Sequence, residues 1–222
     1  MLAGAEGLVR WQHPELGIVS PGVFIPLFEE NGLVTRLDRY VWEESARQIA
    51  RWKRELGMTI PVSVNVSRVD IAAPDMTDFI TKIVRDNGLE PKDYMLEITE
   101  SAYTEDSNRI IEVVEKLRSL GHKIEMDDFG SGYSSLNMLT SMPIDALKMD
   151  KAFIRNIKPG NKEMELVTLV LKIARILGVP VIAEGVEMED EYKLLKDAGC
   201  DIIQGYYFSK PLPPEEFERY RV

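Results

Sequence analysis

The segment Ile124-Glu-Met-Asp-Asp-Phe-Gly-Ser-Gly-Tyr-Ser-Ser-Leu136 begins as a short alternating strand and ends in two adjacent carboxylates, Asp127 and Asp128. Gly130 and Gly132 follow in a turn, and the pair Ser134-Ser135 is placed to start a helix. Neighbouring aspartates at a strand end cannot both point into an apolar core. One needs a counter-charge, and a divalent cation can serve both. The plainer alternative makes one a solvated loop residue and the other an acceptor for nearby backbone amides. The segment alone supports both readings, and the tie is broken elsewhere in the chain.

Moving outward, strands alternate with helices. The expected strands are Ala3 to Trp11, Val62 to Val66, Tyr94 to Thr99, the opening segment, Asp145 to Asp150, Val181 to Val186 and Asp201 to Tyr206. Between them, apolar residues recur at helical spacing in 37–56, 79–84, 110–117 and 164–177, and helix-stop glycines follow at Gly57, Gly88, Gly121 and Gly178. Shorter helices are expected at Phe24 to Glu30, Glu189 to Ala198 and from Glu215. Such alternation predicts right-handed crossovers and a parallel sheet. Each of the seven strands carries a polar residue towards its C-terminal end: Glu6, Asn65, Glu97, Asp127 with Asp128, Lys148, Glu184 and Gln204. An open sheet binds its ligand at one switch point and does not need such a residue on every strand. A barrel gathers all the strand C-termini round one mouth. The expected fold is therefore an α/β barrel of the TIM type, with residues 1–222 forming a single domain.

That mouth holds oxygen donors without Cys or His, which suits Mg²⁺, Mn²⁺ or Ca²⁺ rather than Zn²⁺. The adjacent aspartates would let one carboxylate bridge two ions about 3.5–4 Å apart, the spacing of two-metal phosphoryl hydrolysis. Lys148 would hold a water or a phosphate oxygen. No Gly-x-Gly-x-x-Gly turn or Gly-x-x-x-x-Gly-Lys-Ser/Thr loop is present, so dinucleotide and P-loop folds have no support.

Composition narrows the class. The chain has 222 residues, 45% of them hydrophobic and 29% charged, which is ordinary for a globular protein. Its single cysteine, Cys200, excludes an internal disulfide framework and fits a reducing, cytoplasmic compartment. The formal charge of -10 argues against a nucleic-acid polymer as partner. The most apolar region, Leu166 to Ala183, is broken by Lys172, Arg175 and Pro180, so no membrane segment is expected. No basic start followed by an apolar run marks a signal peptide in residues 1–20.

The strand-end residues sit in recognisable surroundings. Glu6-Gly-Leu-Val-Arg-Trp11, Phe24-Ile-Pro26, Val64-Asn-Val-Ser67, Glu97-Ile-Thr-Glu-Ser101, Asp127-Asp-Phe-Gly-Ser-Gly-Tyr-Ser-Ser-Leu136, Lys148-Met-Asp150, Ala183-Glu-Gly-Val-Glu187 and Gln204-Gly-Tyr206 occur in that order. The chain resembles the EAL-domain cyclic di-GMP phosphodiesterases over essentially its whole length. The resemblance implies metal-dependent hydrolysis of one phosphodiester of cyclic di-GMP to linear pGpG, with two Mg²⁺ or Mn²⁺ ions. Ca²⁺ is expected to inhibit, because its larger, more flexible shell holds the nucleophile less well.

By the same resemblance, Glu6, Asn65, Glu97 and Asp127 would hold the first ion, and Asp127, Asp128 and Glu184 the second. Glu184 would also be a candidate base, with Lys148 orienting the water and Asp128 completing the catalytic group. Arg10 would meet a substrate phosphate, with Gln204, Glu187 and Asp150 around the substrate and water shell. Glu100 would support the loop Phe129 to Ser135, and the region around Asp128 to Leu136 would form a homodimer contact. Fusion to upstream sensory or cyclase-like domains is also implied. The alternative is a receptor or dimerisation module that binds cyclic di-GMP without cutting it; receptors of that kind commonly lose acidic ligands, which this chain keeps.

Two departures from the family pattern stand out. Gly7 replaces the usual Ala of the signature Glu6-Gly7-Leu8. If it only loosens the strand, Gly7→Ala should gain a few tenths to about 1 kcal/mol. The family's first strand, antiparallel to its neighbours, is missing, so the chain is expected to be truncated at its N-terminus. The seven strands counted fall one short of a closed eight, and the gap is expected between the Glu6 and Gln204 strands. His13 and His122 are expected at the surface, and Cys200 as a packed small residue.

Overall fold

The computed structural model describes residues 2–105, 107–130 and 142–220. They belong to two compact units, Met1–Glu97 with Lys116–Lys123, and Ile98–Glu115 with Ile124–Val222.

In the first unit, β1 (Ala5–Glu6) is followed by an antiparallel hairpin, β2 (Trp11–His13) and β3 (Gly17–Val19). The single strand expected over Ala3 to Trp11 is thus two separate elements. Pro14 has no backbone N–H for a ladder, Gly17 takes φ +69°, and His13 Nδ1 accepts from the amides of Glu15 and Leu16, both at 3.2 Å. The chain therefore reverses there. Helices α1 (Pro21–Glu30) and α2 (Val34–Arg51) come next, and α2 runs into a π-helical turn, Trp52–Leu56, stopped by Gly57 at φ +63°.

Strand β4 (Val62–Asn65) then lies parallel to β1, with Glu6 opposite Ser63. After α3 (Arg68–Ile71) and α4 (Met76–Asp86), β5 (Tyr94–Thr99) lies parallel to β4, with Asn65 opposite Glu97. Trp42 locks α2 to these strands: its indole Nε1–H donates to Asn65 O at 2.9 Å, and the Tyr94 hydroxyl donates to Trp42 O at 3.0 Å. Trp42, Ala46, Val64, Ile80 and Tyr94 form a buried core around that latch. His122, expected at the surface, is buried instead. It follows the helix-ending Gly121, and burial pushes its pKa below the usual imidazole value against an opposing backbone contact with Tyr94.

The second unit holds α5 (Glu100–Glu105) and four mutually parallel strands: β6 (Lys123–Phe129), β7 (Ala146–Met149), β8 (Val181–Ala183) and β9 (Ile202–Ile203). Helix α6 (Ser107–Ser119) leads into β6. Helices α7 (Lys151–Ile154) and α8 (Lys162–Leu177) lie between β7 and β8 in sequence; α9 (Glu189–Asp197) precedes β9, and α10 (Pro214–Phe217) follows it. One face of these strands is apolar and buried, carrying Ile124, Met126, Leu147, Met149, Val181 and Ala183, while Glu125, Asp127 and Lys148 occupy the alternate positions. Among the described residues, β1 and β9, the strands expected to border a gap, each have one ladder neighbour, β4 and β8 respectively. No helix of the described residues is long and apolar enough to cross a membrane.

Candidate metal centre

Strand β6 does not run regularly to its end. Met126 pairs with Leu147 and Phe129 with Met149, so β6 uses one residue more than β7 over that step. The extra residue falls at the aspartate pair, where Asp128 takes φ +54°, a conformation that short polar residues tolerate better than most. In a regular strand, adjacent side chains point to opposite faces. The bulge relaxes that rule, and Asp127, Asp128 and Glu184 each bring a carboxylate oxygen within 4.8 Å of the other two.

Lys148, on β7, joins this group. Its Nζ lies 2.7 Å from Glu184 Oε1 and 3.4 Å from Asp127 Oδ1, and its side chain is 2% exposed. The Asp128 amide donates to Asp127 Oδ1 at 2.9 Å, which fixes that carboxylate against its own chain. Asp128 holds its proton more tightly than an ordinary aspartate. Burial is the main cause, followed by the charges of Asp127 and Asp150, with Lys148 and Lys151 opposing. Crowded carboxylates with one internal cation are the surroundings a divalent ion stabilises, and an all-oxygen donor set fits a hard ion.

The first unit carries its own acidic group. Glu6 ends β1, Asn65 ends β4, and Glu97 lies buried in β5. Asn65 Nδ2 donates to Glu6 Oε1 at 3.3 Å, and the Ser63 hydroxyl donates to Glu97 Oε1 in a very short bond. Ser63 is a member that the sequence reading passed over. Its signal was the alternation in Val62-Ser-Val-Asn65, which puts Ser63 on the face that Asn65 occupies.

The other predicted residues are placed as follows. Glu100 is fully buried and accepts from the Gly130 amide at 2.6 Å, at the start of the loop it was expected to support. A Cβ on Gly130 would fall 1.9 Å from the Phe153 ring, so only glycine fits beside it. The remainder of that loop, and with it most of the expected dimer contact at Asp128 to Leu136, lies outside the described residues. Asp150 caps α7, accepting from the Ala152 amide at 2.8 Å. Gln204 continues the β9 ladder: its amide donates to Ala183 O at 2.8 Å, and its carbonyl accepts from Val186 N at 3.1 Å. Glu187 and Arg10 are exposed; Arg10 Nη1 donates to Val9 O at 2.8 Å. Cys200 is packed as expected, its thiol donating to Ile202 O at 3.3 Å, and burial pushes its pKa up to about 11.

Parallel strands ending in carboxylates, with a buried lysine beside Asp127 and Glu184, define an acidic α/β protein with a cluster that could hold a metal ion. A family model described as EAL domain matches residues 1–211. PdeR of Escherichia coli K12, a cyclic di-GMP phosphodiesterase, is 38% identical over 215 residues, covering 97% of this chain and 32% of that protein. MucR of Pseudomonas aeruginosa, a bifunctional diguanylate cyclase/cyclic di-GMP phosphodiesterase, is 34% identical over 97% of this chain and 31% of its own length. A solved PaMucR phosphodiesterase in complex with c-di-GMP has a TM-score of 0.93 at 33% identity, covering 98% of this chain and 88% of that one. The EAL enzyme Bd1971 in its cGMP-bound form gives 0.92 at 30% identity, covering 98% and 60%. The chain spans about a third of the curated relatives it matches. The fold is the α/β barrel of the TIM type that the EAL structures share. This chain belongs to the EAL domain family.

Proposed function

We propose that this chain is a cyclic di-GMP phosphodiesterase, a single EAL domain that hydrolyses one phosphodiester of the dinucleotide to give linear pGpG. The observation that carries the reading is the convergence of Asp127, Asp128 and Glu184 oxygens within 4.8 Å of one another, beside the buried Lys148. The relatives named for this activity, at 34–38% identity, support the substrate.

In this reading, Glu6, Asn65 and Glu97 of the first unit and Asp127, Asp128 and Glu184 of the second would be the ligands for divalent cations, with Mg²⁺ or Mn²⁺ active and Ca²⁺ inhibitory. When bound, such ions supply Lewis-acid activation of water and neutralise phosphate charge. The chain's own residues do the rest. Lys148 orients the attacking water through its ammonium protons, and Glu184 Oε accepts a proton from that water. Arg10 meets a phosphate of the substrate; Gln204, Glu187 and Asp150 complete the polar shell. Glu100 holds the start of the loop after β6 through Gly130 N, and that loop is the proposed contact between two copies. The domain acts in the cytoplasm in this reading, which its single cysteine fits, whether or not the full-length protein is membrane-anchored.

The test is direct. The protein is incubated with cyclic di-GMP and either Mg²⁺ or Mn²⁺, and products are separated by chromatography. Linear pGpG, absent when the metal is chelated, is expected. Binding of cyclic di-GMP without pGpG under both metals would refute hydrolysis and leave a receptor.

A further inference from the structure

We infer that Ser63 is a positioning residue for the acidic group of the first unit, fixing Glu97 through its hydroxyl and Glu6 through its carbonyl. The inference rests on the proposed role of Glu6 and Glu97 as metal ligands.

Ser63 is buried at the centre of the three parallel strands of that unit, at 7% exposure. Its hydroxyl faces two acceptors, Glu97 Oε1 in the very short bond and Ala5 O at 3.5 Å. A hydroxyl has one proton to give, and Glu97 Oε1 lies within hydrogen-bond reach while Ala5 O stands at the 3.5 Å limit. The terminal torsion of a glutamate is broad and roughly two-fold, so an unheld carboxylate samples many planes. Bonding one oxygen to a strand-anchored hydroxyl removes that freedom, and the burial of Glu97, at 1% exposure, keeps water from competing. The main chain of the same residue acts on the neighbouring strand. Ser63 O accepts from Gly7 N at 2.8 Å, while Ser63 stands opposite Glu6 in the register. Asn65, two residues on and on the same face, reaches Glu6 Oε1 with its amide. One residue thus sets the spacing of two carboxylates that approach from opposite sides of β4.

Groups that orient metal ligands in this way are worth about 10–100-fold in metal affinity. The test compares Ser63→Thr with Ser63→Val, which share a shape and differ only in the hydroxyl. Mn²⁺ affinity is measured by titration calorimetry without substrate, and Glu97→Gln is run alongside. Ser63→Thr is expected to bind within about threefold of the parent, and Ser63→Val about 10–100-fold more weakly. Equal Mn²⁺ affinity in the Thr and Val variants, with Glu97→Gln impaired, overturns the positioning role alone. Unchanged Mn²⁺ binding in Glu97→Gln overturns the ligand reading, and the inference with it.

Discussion

The ammonium of Lys148 stands 2.7 Å from Glu184 Oε1 with 2% of the lysine side chain exposed. Burying that charge is costly, and what repays it is a carboxylate group that would otherwise repel itself. Asp127 Oδ1, 3.4 Å away, shares the same ammonium. Among the described residues Asp128 has no ion pair, and it is pushed towards its protonated form by burial and by Asp127. The lysine's single charge therefore divides the acids into two that it pairs with directly and one whose charge is left for a cation to favour. That division is what a site needs if ion binding is to be coupled to release of a proton.

Removing the ammonium leaves buried carboxylates uncompensated. Lys148→Met should cost about 3–5 kcal/mol of stability, the usual penalty for breaking a buried pair. Millimolar Mg²⁺ should recover part of it, because the ion replaces the missing charge. Thermal unfolding with EDTA and with Mg²⁺ checks both. A variant as stable as the parent in EDTA would show that Lys148 does not balance the group.

Asp127→Asn keeps the shape and removes one charge from the proposed ligands. Turnover of cyclic di-GMP should fall by about 10²–10³-fold, as when a principal electrostatic group is lost. Binding of the dinucleotide, through groups such as Arg10, should persist. Metal-dependent hydrolysis at the parent rate would sink the two-ion assignment. Full turnover with Ca²⁺ as sole metal would count against the same geometry.

A second pair of acids, in the first unit, controls stability. Asp38 in α2 has its pKa raised from 3.8 to about 8, chiefly by burial, then by a bond to Asp70 and that residue's charge. Glu29 adds to the shift, and the Ser67 side chain opposes it. The folded protein therefore binds more protons than the unfolded chain between about pH 4 and pH 8. Stability must fall as pH rises through that window, by at most about 1.4 kcal/mol per pH unit for one proton. Asp38→Asn supplies a permanent N–H donor to Asp70 in place of the shared proton. Urea midpoints at pH 5, 6.5 and 8 should show a flatter slope and a gain at pH 8. An unchanged slope would remove Asp38 as its source.

Much of this protein could be read from its residues because its polar candidates lie where strands end. Glu6, Asn65, Glu97, Asp127 and Lys148 declared themselves as polar residues closing apolar runs, and the helix-stop glycines marked the crossovers. What escaped the reading depended on neighbours distant in sequence. The bulge at Asp127 and Asp128 is a mismatch between two strands, and neither strand alone records it. Ser63 is an ordinary serine until Glu97 is placed against it. His122 follows a turn glycine, which suggests a surface, yet the packing around Tyr94 buries it. The hairpin at Trp11 to Val19 was hidden because its strands are three residues each, too short to show a period.

Gly7 likewise depends on neighbours distant in sequence. Read from sequence, it is a looser version of the family's alanine, and Gly7→Ala should stabilise. The structure gives it another role. A Cβ at this position would lie 2.8 Å from Ser45 Oγ, 3.2 Å from Val64 Cγ1 and 3.4 Å from Ser63 O. Its φ is not in the left-handed region, so the backbone accepts alanine and only the space refuses it. Ser45 projects from α2, which the Trp42 latch holds against the strand, so the helix cannot back away cheaply. Overpacking of this kind costs about 1–3 kcal/mol, and rotation of the serine hydroxyl puts this case near the lower end. Gly7→Ala is therefore expected to lose about 1 kcal/mol. Adding Ser45→Ala should recover at least about 0.5 kcal/mol as a coupling between contacting sites. A double-mutant cycle in urea measures both terms. A stabilised Gly7→Ala, or a double mutant whose effects simply add, would restore the looser-strand reading and remove Ser45 as the obstacle.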